Sequence, residues 1–200
     1  MKTIFYSLAL FLSVGCTHLT EPVPKVELEP LSTWHDWRFR NMIPQELDMS
    51  CGAATMASMV SFYGETPLSE AELLDMLTQT VPAEQQDRVL SEGFSLLHMK
   101  RALHFIDLDL KAARITHEQL EAFASPAMLQ LKTEQGYHFV LWHGKVAGLH
   151  WIGDPSVGDV WWSDKALSVH WTGIAAWVFK QDKPLKQARI EQLNQALRLR

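Results

Sequence analysis

The stretch that decides the fold is Gln45-Glu46-Leu47-Asp48-Met49-Ser50-Cys51-Gly52-Ala53-Ala54-Thr55-Met56-Ala57-Ser58-Met59-Val60-Ser61-Phe62-Tyr63-Gly64. From Cys51 onward apolar residues recur at helical spacing, with Ala53, Met56, Val60 and Tyr63 forming one stripe. Ser50 is a good N-cap, Gly64 a good stop, and Pro67 follows. The spacing predicts a helix buried on one side, with Cys51 in its first turn. A helix N-terminus carries partial positive charge and spare N–H groups. Both favour a thiolate, the nucleophilic form of cysteine. Gly52 leaves room for a substrate backbone. Gln45, upstream of the helix, can aim a side-chain N–H at the same place as the Cys51 backbone N–H, and two such donors make an oxyanion hole. On this segment alone, a cysteine before a small-residue helix is more often a buried packing residue.

A thiol nucleophile needs a base, and the base needs a third group to fix its tautomer. Of nine histidines, His138 has the best setting. It stands at the mouth of the strand Tyr137-His138-Phe139-Val140-Leu141-Trp142-His143, rich in aromatic and β-branched residues. Residues 127–132 read as its hairpin partner, with 133–136 as the turn. On alternation, Tyr137, Phe139 and Leu141 share one face, and His138, Val140 and Trp142 the other. A further strand over 148–152 runs into Gly153-Asp154-Pro155-Ser156-Val157-Gly158, which places Asp154 to hold the imidazole. Taken singly, His138 reads as a core histidine and Asp154 as an Asx turn. Together, Gln45, Cys51, His138 and Asp154 form a complete set in papain order. His143 and His150 have spacings that fit no zinc pattern and read as structural or surface residues.

The ordered series resembles the C39 family of cysteine peptidases, the bacteriocin-leader or double-glycine peptidases. The pieces are Gln45, Cys51-Gly52-Ala53-Ala54, Phe62-Tyr63-Gly64, Gly93-Phe94-Ser95-Leu96-Leu97, Pro126-Ala127-Met128-Leu129, Tyr137-His138-Phe139-Val140, Asp154-Pro155-x-x-Gly158 and Trp171-Thr172-Gly173-Ile174-Ala175. The likeness runs from about Met42 to Phe179. It implies a papain-like fold with Cys51 as nucleophile, His138 as base and then acid, Asp154 as orienter and Gln45 as oxyanion donor. One departure is His104-Phe105-Ile106-Asp107, where the family commonly has a glycine. Another is context. The best-known members are N-terminal domains of ABC exporters working on the cytoplasmic side, whereas this chain has no transmembrane bundle and no Walker motif, and it carries an export signal.

That signal is Met1-Lys2-Thr3 followed by a mostly apolar run over 4–15. Leu12-Ser13-Val14-Gly15-Cys16 resembles a bacterial lipobox, in which Cys16 becomes the lipidated first residue; Ser13 and Gly15 also fit ordinary signal cleavage. The expected organisation is a signal peptide over 1–15, the lipidated Cys16 and a proline-marked tether over 16–33, a peptidase domain over 34–182, and an amphipathic helix over 183–200.

The 200 residues suffice for one domain with a real core. A net charge of −5 without a long basic run argues against nucleic acid as a partner. Two cysteines exclude a disulfide scaffold and a four-cysteine metal site. If Cys16 carries lipid and Cys51 is a thiolate, none is left to form a disulfide.

Capping boxes at Ser69-Glu70-Ala71-Glu72 and Thr116-His117-Glu118-Gln119 predict helices over 71–80 and from 117 to near 124. Residues 95–105 read as a further helix, with Leu96, Met99 and Leu103 on one face. Strands are expected near 127–132, 137–143, 148–152, 158–162 and 174–180. Helices first and an antiparallel sheet after give the α+β class. Most tryptophans should be core, with Trp161 or Trp162 the best placed to line a groove. The function expected is an exported thiol endopeptidase, without cofactor, acting on a peptide or protein at a Gly-Gly-like site. It would sit in the periplasm or cell envelope and touch membrane only through its lipid anchor. The alternatives are a non-catalytic papain-like module that holds an exported polypeptide, and acyl transfer by the same residues.

Overall fold

The computed structural model describes residues 33–185, except 65, 124 and 182. The expected signal peptide, Cys16, the tether as far as residue 32, and residues 186–200 of the expected tail helix lie outside the described residues.

The helices come first. They are α1 (Trp34–Arg38), α2 (Cys51–Tyr63), α3 (Glu70–Thr80), α4 (Gln86–Glu92) and α5 (Leu96–Leu103). After strand β1 (Asp109–Arg114) and helix α6 (His117–Ala122) come β2 (Ala127–Thr133), β3 (Gly136–Val146), β4 (Leu149–Asp154) and β5 (Gly158–Trp162). The described chain ends with α7 (Asp164–His170), β6 (Trp171–Lys180) and β7 (Lys183–Pro184). The strands form one antiparallel sheet in the order β1-β6-β2-β3-β4-β5, with β7 also on β6.

Period-two alternation sorts the strand residues between two cores. Met128, Phe139, Leu141, Ala176 and Val178 face the cluster that contains α2, α3 and α5. Their neighbours Ala127, Leu129, Val140, Trp142, Ala175 and Trp177 face a second cluster, closed by Leu120 of α6 and Leu167 of α7. The sheet is thus covered on both faces. Of the alternation expected for the His138 strand, Phe139 and Leu141 fall on one face and Val140 and Trp142 on the other, while His138 bonds Cys51, which packs on the first cluster.

Several expectations are corrected. Helix α2 is not buried on one side. Every residue from Gly52 to Val60 is buried, because α3, α5 and β3 surround it. Strand β1 was unexpected, since Asp109-Leu110-Lys111-Ala112-Ala113-Arg114 buries only Leu110 within an edge strand. Lys183 and Pro184 pair with β6 as a strand, so no helix starts at 183. The capping boxes at Ser69 and Thr116 form as read, with reciprocal side-chain bonds to Glu72 and Gln119. The sequence departure at 104–107 also finds its reason. Asp107 takes the left-handed conformation (φ 56°) that a glycine would usually fill, and aspartate tolerates it better than most residues.

Candidate active site

Cys51 is the first residue of α2, half-buried, and a free thiol. Ser50 precedes it as N-cap, but its hydroxyl does not cap the helix. It donates to Leu47 O at 2.8 Å and accepts the Leu47 N–H at 3.1 Å. The Ser50 side chain therefore leaves the N–H groups of the first turn uncovered, beside the sulfur.

The helix is fastened to the strand that bears His138. Thr55 Oγ1 donates to Phe139 O at 3.0 Å, and at the far end Tyr63 Oη lies 2.6 Å from His143 Nδ1. His138 sits three residues beyond the tight Glu134-Gln135 turn, near the start of β3. Its Nε2 lies 2.9 Å from Asp154 Oδ1, with the two side chains 18% and 14% exposed. Asp154 ends β4, and its Oδ1 also accepts the Ser156 backbone N–H at 2.8 Å.

Charge and burial act in opposite directions here. Burial pulls the His138 ring toward its neutral form. The hydrogen bonds from Asp154 and Cys51, with the attraction of both groups, outweigh burial and push the pKa up to about 9. Burial would raise the Asp154 carboxyl, but the bond and charge of His138 and the Ser156 N–H hold it below its ordinary value. With Nε2 engaged by Asp154, the other ring nitrogen is left to the thiol. Such an arrangement can take a proton from a thiol and deliver it to a leaving group.

Two hollows meet at Cys51. One, of about 370 Å³, is lined by Gly52, Val89, Phe94, Leu96, His98 and Phe139, among others. The other, of about 640 Å³, is lined by Asp48, Thr133, Gln135, His138, Asp154 and Ser156, among others. Met49, Cys51, Glu92 and Tyr137 line both, which puts the thiol at the waist of a continuous groove.

Gln45 lines a further hollow with Asp48, Met49, His138 and Ser156. Its Nε2 donates to Leu47 O at 3.0 Å and, at the long distance of 3.5 Å, to Asp48 O. Its Oε1 accepts from Ser156 Oγ at 2.9 Å, and its backbone N–H donates to Pro155 O at 2.9 Å. The loop carrying it is held by the Glu70 carboxylate on the Glu46 N–H and by Ser58 Oγ on the Ile43 N–H. Gly158 completes the Asp154 turn at φ +86°, packed so closely on Arg38 O that a Cβ would collide with it.

The structure thus groups Cys51, His138 and Asp154, with Gln45 alongside. Trp161 and Trp162 line none of these hollows. Both sit at the opposite end of β5 from the Asp154 turn, paired with Trp151 and His150. Trp161 stacks on Trp151 with ring centres 5.7 Å apart. The groove aromatics are Phe94, Tyr137 and Phe139 instead. His98, left without a role in the sequence, is buried in the groove wall. Its Nδ1 accepts the Ser95 N–H at 3.3 Å and its Nε2 lies 3.3 Å from Gln85 Oε1. Burial, aided by Arg101, lowers its pKa. Its signal was its place three residues after the N-cap Ser95.

His143 and His150 are both fully buried, so neither is a surface residue. Glu121, His150 and Asp164 bring ligand atoms within 4.8 Å of one another. Lys145 Nζ already lies 2.7 Å from each carboxylate, and Trp142 Nε1–H donates to His150 Nδ1 at 3.1 Å. The Trp142 bond turns the His150 Nε2–H toward Asp164, 2.8 Å away, so that nitrogen has no lone pair to offer a metal.

Comparisons with known proteins bear on the family and the fold. Residues 40–183 match the Peptidase C39 family. The chain is 27% identical over 187 residues to the Probable functional amyloid protease FapD of Pseudomonas aeruginosa, covering 90% of this chain and 81% of that protein. It is 28% identical over 137 residues to the protein of the same name from Pseudomonas fluorescens, covering 68% of this chain and 59% of the relative. Among solved structures, the peptidase domain of Streptococcus ComA, a bi-functional ABC transporter in a quorum-sensing pathway, superposes with a TM-score of 0.59 at 20% identity. It covers 70% of this chain and 98% of that domain. The peptidase domain of Streptococcus mutans ComA gives 0.51 at 18% identity, over 70% of this chain and 98% of that one. These likenesses establish the papain-like peptidase fold, and the match over 40–183 establishes that this chain belongs to the peptidase C39 family.

Proposed function

We propose that this chain is an exported thiol endopeptidase, held at a bacterial membrane by lipid on Cys16, that cleaves a peptide or protein at a small-residue site of Gly-Gly type. The observation that carries the reading is the bonded series from Cys51 through His138 to Asp154, at the waist of a groove open on both sides. The small-residue preference does not rest on Gly52, because the space its missing side chain leaves is filled by Met99 and Phe139.

The Cys51 thiolate attacks the scissile carbonyl, forming the C–S bond and moving the carbonyl electron pair onto oxygen. The Cys51 backbone N–H and the Gln45 side chain stabilise that oxyanion. Collapse breaks the C–N bond, and the His138 imidazolium gives its proton to the departing amine. His138, now neutral, takes a proton from water, which attacks the thioester. The acid product leaves, and the thiolate–imidazolium pair is restored. The two Pseudomonas relatives are named as functional amyloid proteases, so an exported amyloid-forming polypeptide is the substrate to try first.

The test compares the exported proteins of wild-type and Cys51→Ala cells, beside cleavage of small-residue peptides by purified protein. The reading requires a product that the variant does not make. Equal products in both would leave Cys51 without this role.

A further inference from the structure

An amide side chain has two ends of opposite character, and only one serves a developing oxyanion. If Gln45 presented Nε2, it would stabilise the negative charge; if it presented Oε1, it would repel it. What decides between the two ends is whatever hydrogen-bonds the amide.

Two groups do so. The Leu47 carbonyl takes Nε2 at 3.0 Å, and the Ser156 hydroxyl donates to Oε1 at 2.9 Å. Ser156 lies in the Asp154 turn, which also takes the Gln45 backbone N–H through Pro155 O. The second Nε2 hydrogen makes only the 3.5 Å approach to Asp48 O, a bond that an oxyanion would readily replace. The same turn gives Asp154 its Ser156 N–H, but that contact is backbone and survives any substitution at 156 other than proline. The hydroxyl of Ser156 bonds Gln45 and also helps hold the Asp154 carboxyl below its ordinary value, so it reaches both groups.

We propose that Ser156 is a positioning residue that fixes which end of the Gln45 amide faces the oxyanion. It rests on the reading of Gln45 as oxyanion donor. Its action on Gln45 matters only when a tetrahedral intermediate forms, and its contact with Asp154, the last of the influences on that carboxyl, is a separate and smaller effect.

Two reagents for Cys51 separate these stages. p-Nitrophenyl acetate acylates the thiolate through a tetrahedral oxyanion: the C–S bond forms, the C–O bond breaks, and the charge leaves on p-nitrophenolate. Iodoacetamide alkylates by displacing iodide at a saturated carbon, with no oxyanion. In the full chain, Gln45→Ala should slow acylation about 100-fold, as for loss of one oxyanion donor. Ser156→Ala should slow it about tenfold, a fraction of that loss. Ser156→Thr, which keeps the hydroxyl at an exposed site, should restore it. Adding Ser156→Ala to Gln45→Ala should change the rate by less than about twofold, because residues acting through one another are not additive. Alkylation should change far less than acylation in every variant, and the lost Ser156 contact with Asp154 should show only as a small shift in its pH profile.

Acylation by Ser156→Ala at the wild-type rate would overturn the proposal. So would a further tenfold loss on top of Gln45→Ala, or a parallel loss of alkylation. If the acylation pattern holds while no peptide is cleaved, the positioning role stands and the endopeptidase reading fails. If neither reagent labels Cys51 in preference to Cys51→Ala, both fall.

Discussion

Tyr63 Oη and His143 Nδ1 meet at 2.6 Å in the interior, at the opposite end of α2 from Cys51. Together with Thr55 on Phe139 O, this contact pins the helix of Cys51 to the strand of His138 at two points. Tyr63→Phe keeps the ring and removes the hydroxyl, taking one partner from a fully buried imidazole. A cost of about 1–3 kcal/mol is expected. Chemical denaturation should show a lower midpoint with an unchanged slope.

Thr55→Val is nearly the same shape and lacks the hydroxyl that bonds Phe139 O, the residue next to His138. It should cost about 1–3 kcal/mol in stability. It should also slow Cys51 alkylation more than Tyr63→Phe does, since its staple is the one adjoining the site. Equal slowing in both variants would show that the two staples act only through global stability.

The His138 pKa of about 9 sets the alkaline limit of the site. The imidazolium is raised above its ordinary value of 6.5, so its pairing stabilises the fold fully below that value and is lost as pH rises through about 9. Asp154 is lowered, so its contribution is present above its ordinary 3.8 and disappears as acid protonates it. The rate of cleavage should therefore decline with an apparent pKa near 9 on the alkaline side. Asp154→Asn removes the charge that raises His138 and should move that limb to lower pH. A pH series of cleavage rates on both proteins checks this, and an unmoved limb would mean that Asp154 does not control the ring.

The Glu121–His150–Asp164 cluster should hold no metal that matters for activity, because the Lys145 ammonium already bridges both carboxylates and His150 Nε2 donates to Asp164. Treatment with EDTA should leave Cys51 labelling and cleavage unchanged.

The sequence was most legible where a local chemical cause acts alone. Ser69 and Thr116 needed only themselves and a residue three positions on, and both boxes formed. The Cys51, His138 and Asp154 positions were readable from the ordered motifs and their strand and turn contexts, and the structure brings the three together. What was hidden depends on distant neighbours. Helix α2 shows a stripe of four residues, yet it is enclosed all round because three elements converge on it. Strand β1 has no alternation to read, being an exposed edge with one buried leucine. His98 lies far in sequence from Cys51, and nothing local says that it borders the same hollow. Ser156 occupies an unspecified position in Asp154-Pro155-x-x-Gly158, where a hydroxyl in a turn has no pattern of its own. Trp161 and Trp162 were misplaced because strand direction, not composition, decides which end of β5 meets the site.

The turn that ends in Gly158 rests on Arg38 O and holds Gln45, so the C-terminal half of the fold completes a pocket begun by the N-terminal half. During synthesis the thiol emerges early, on a helix that has as yet no base, no orienting carboxylate and no aligned amide. On the roles proposed for Cys51 and His138, activity waits until β3, β4 and the following turn have been made and docked. A partly made chain would then carry an unarmed cysteine, and chain order itself would serve as the safety catch.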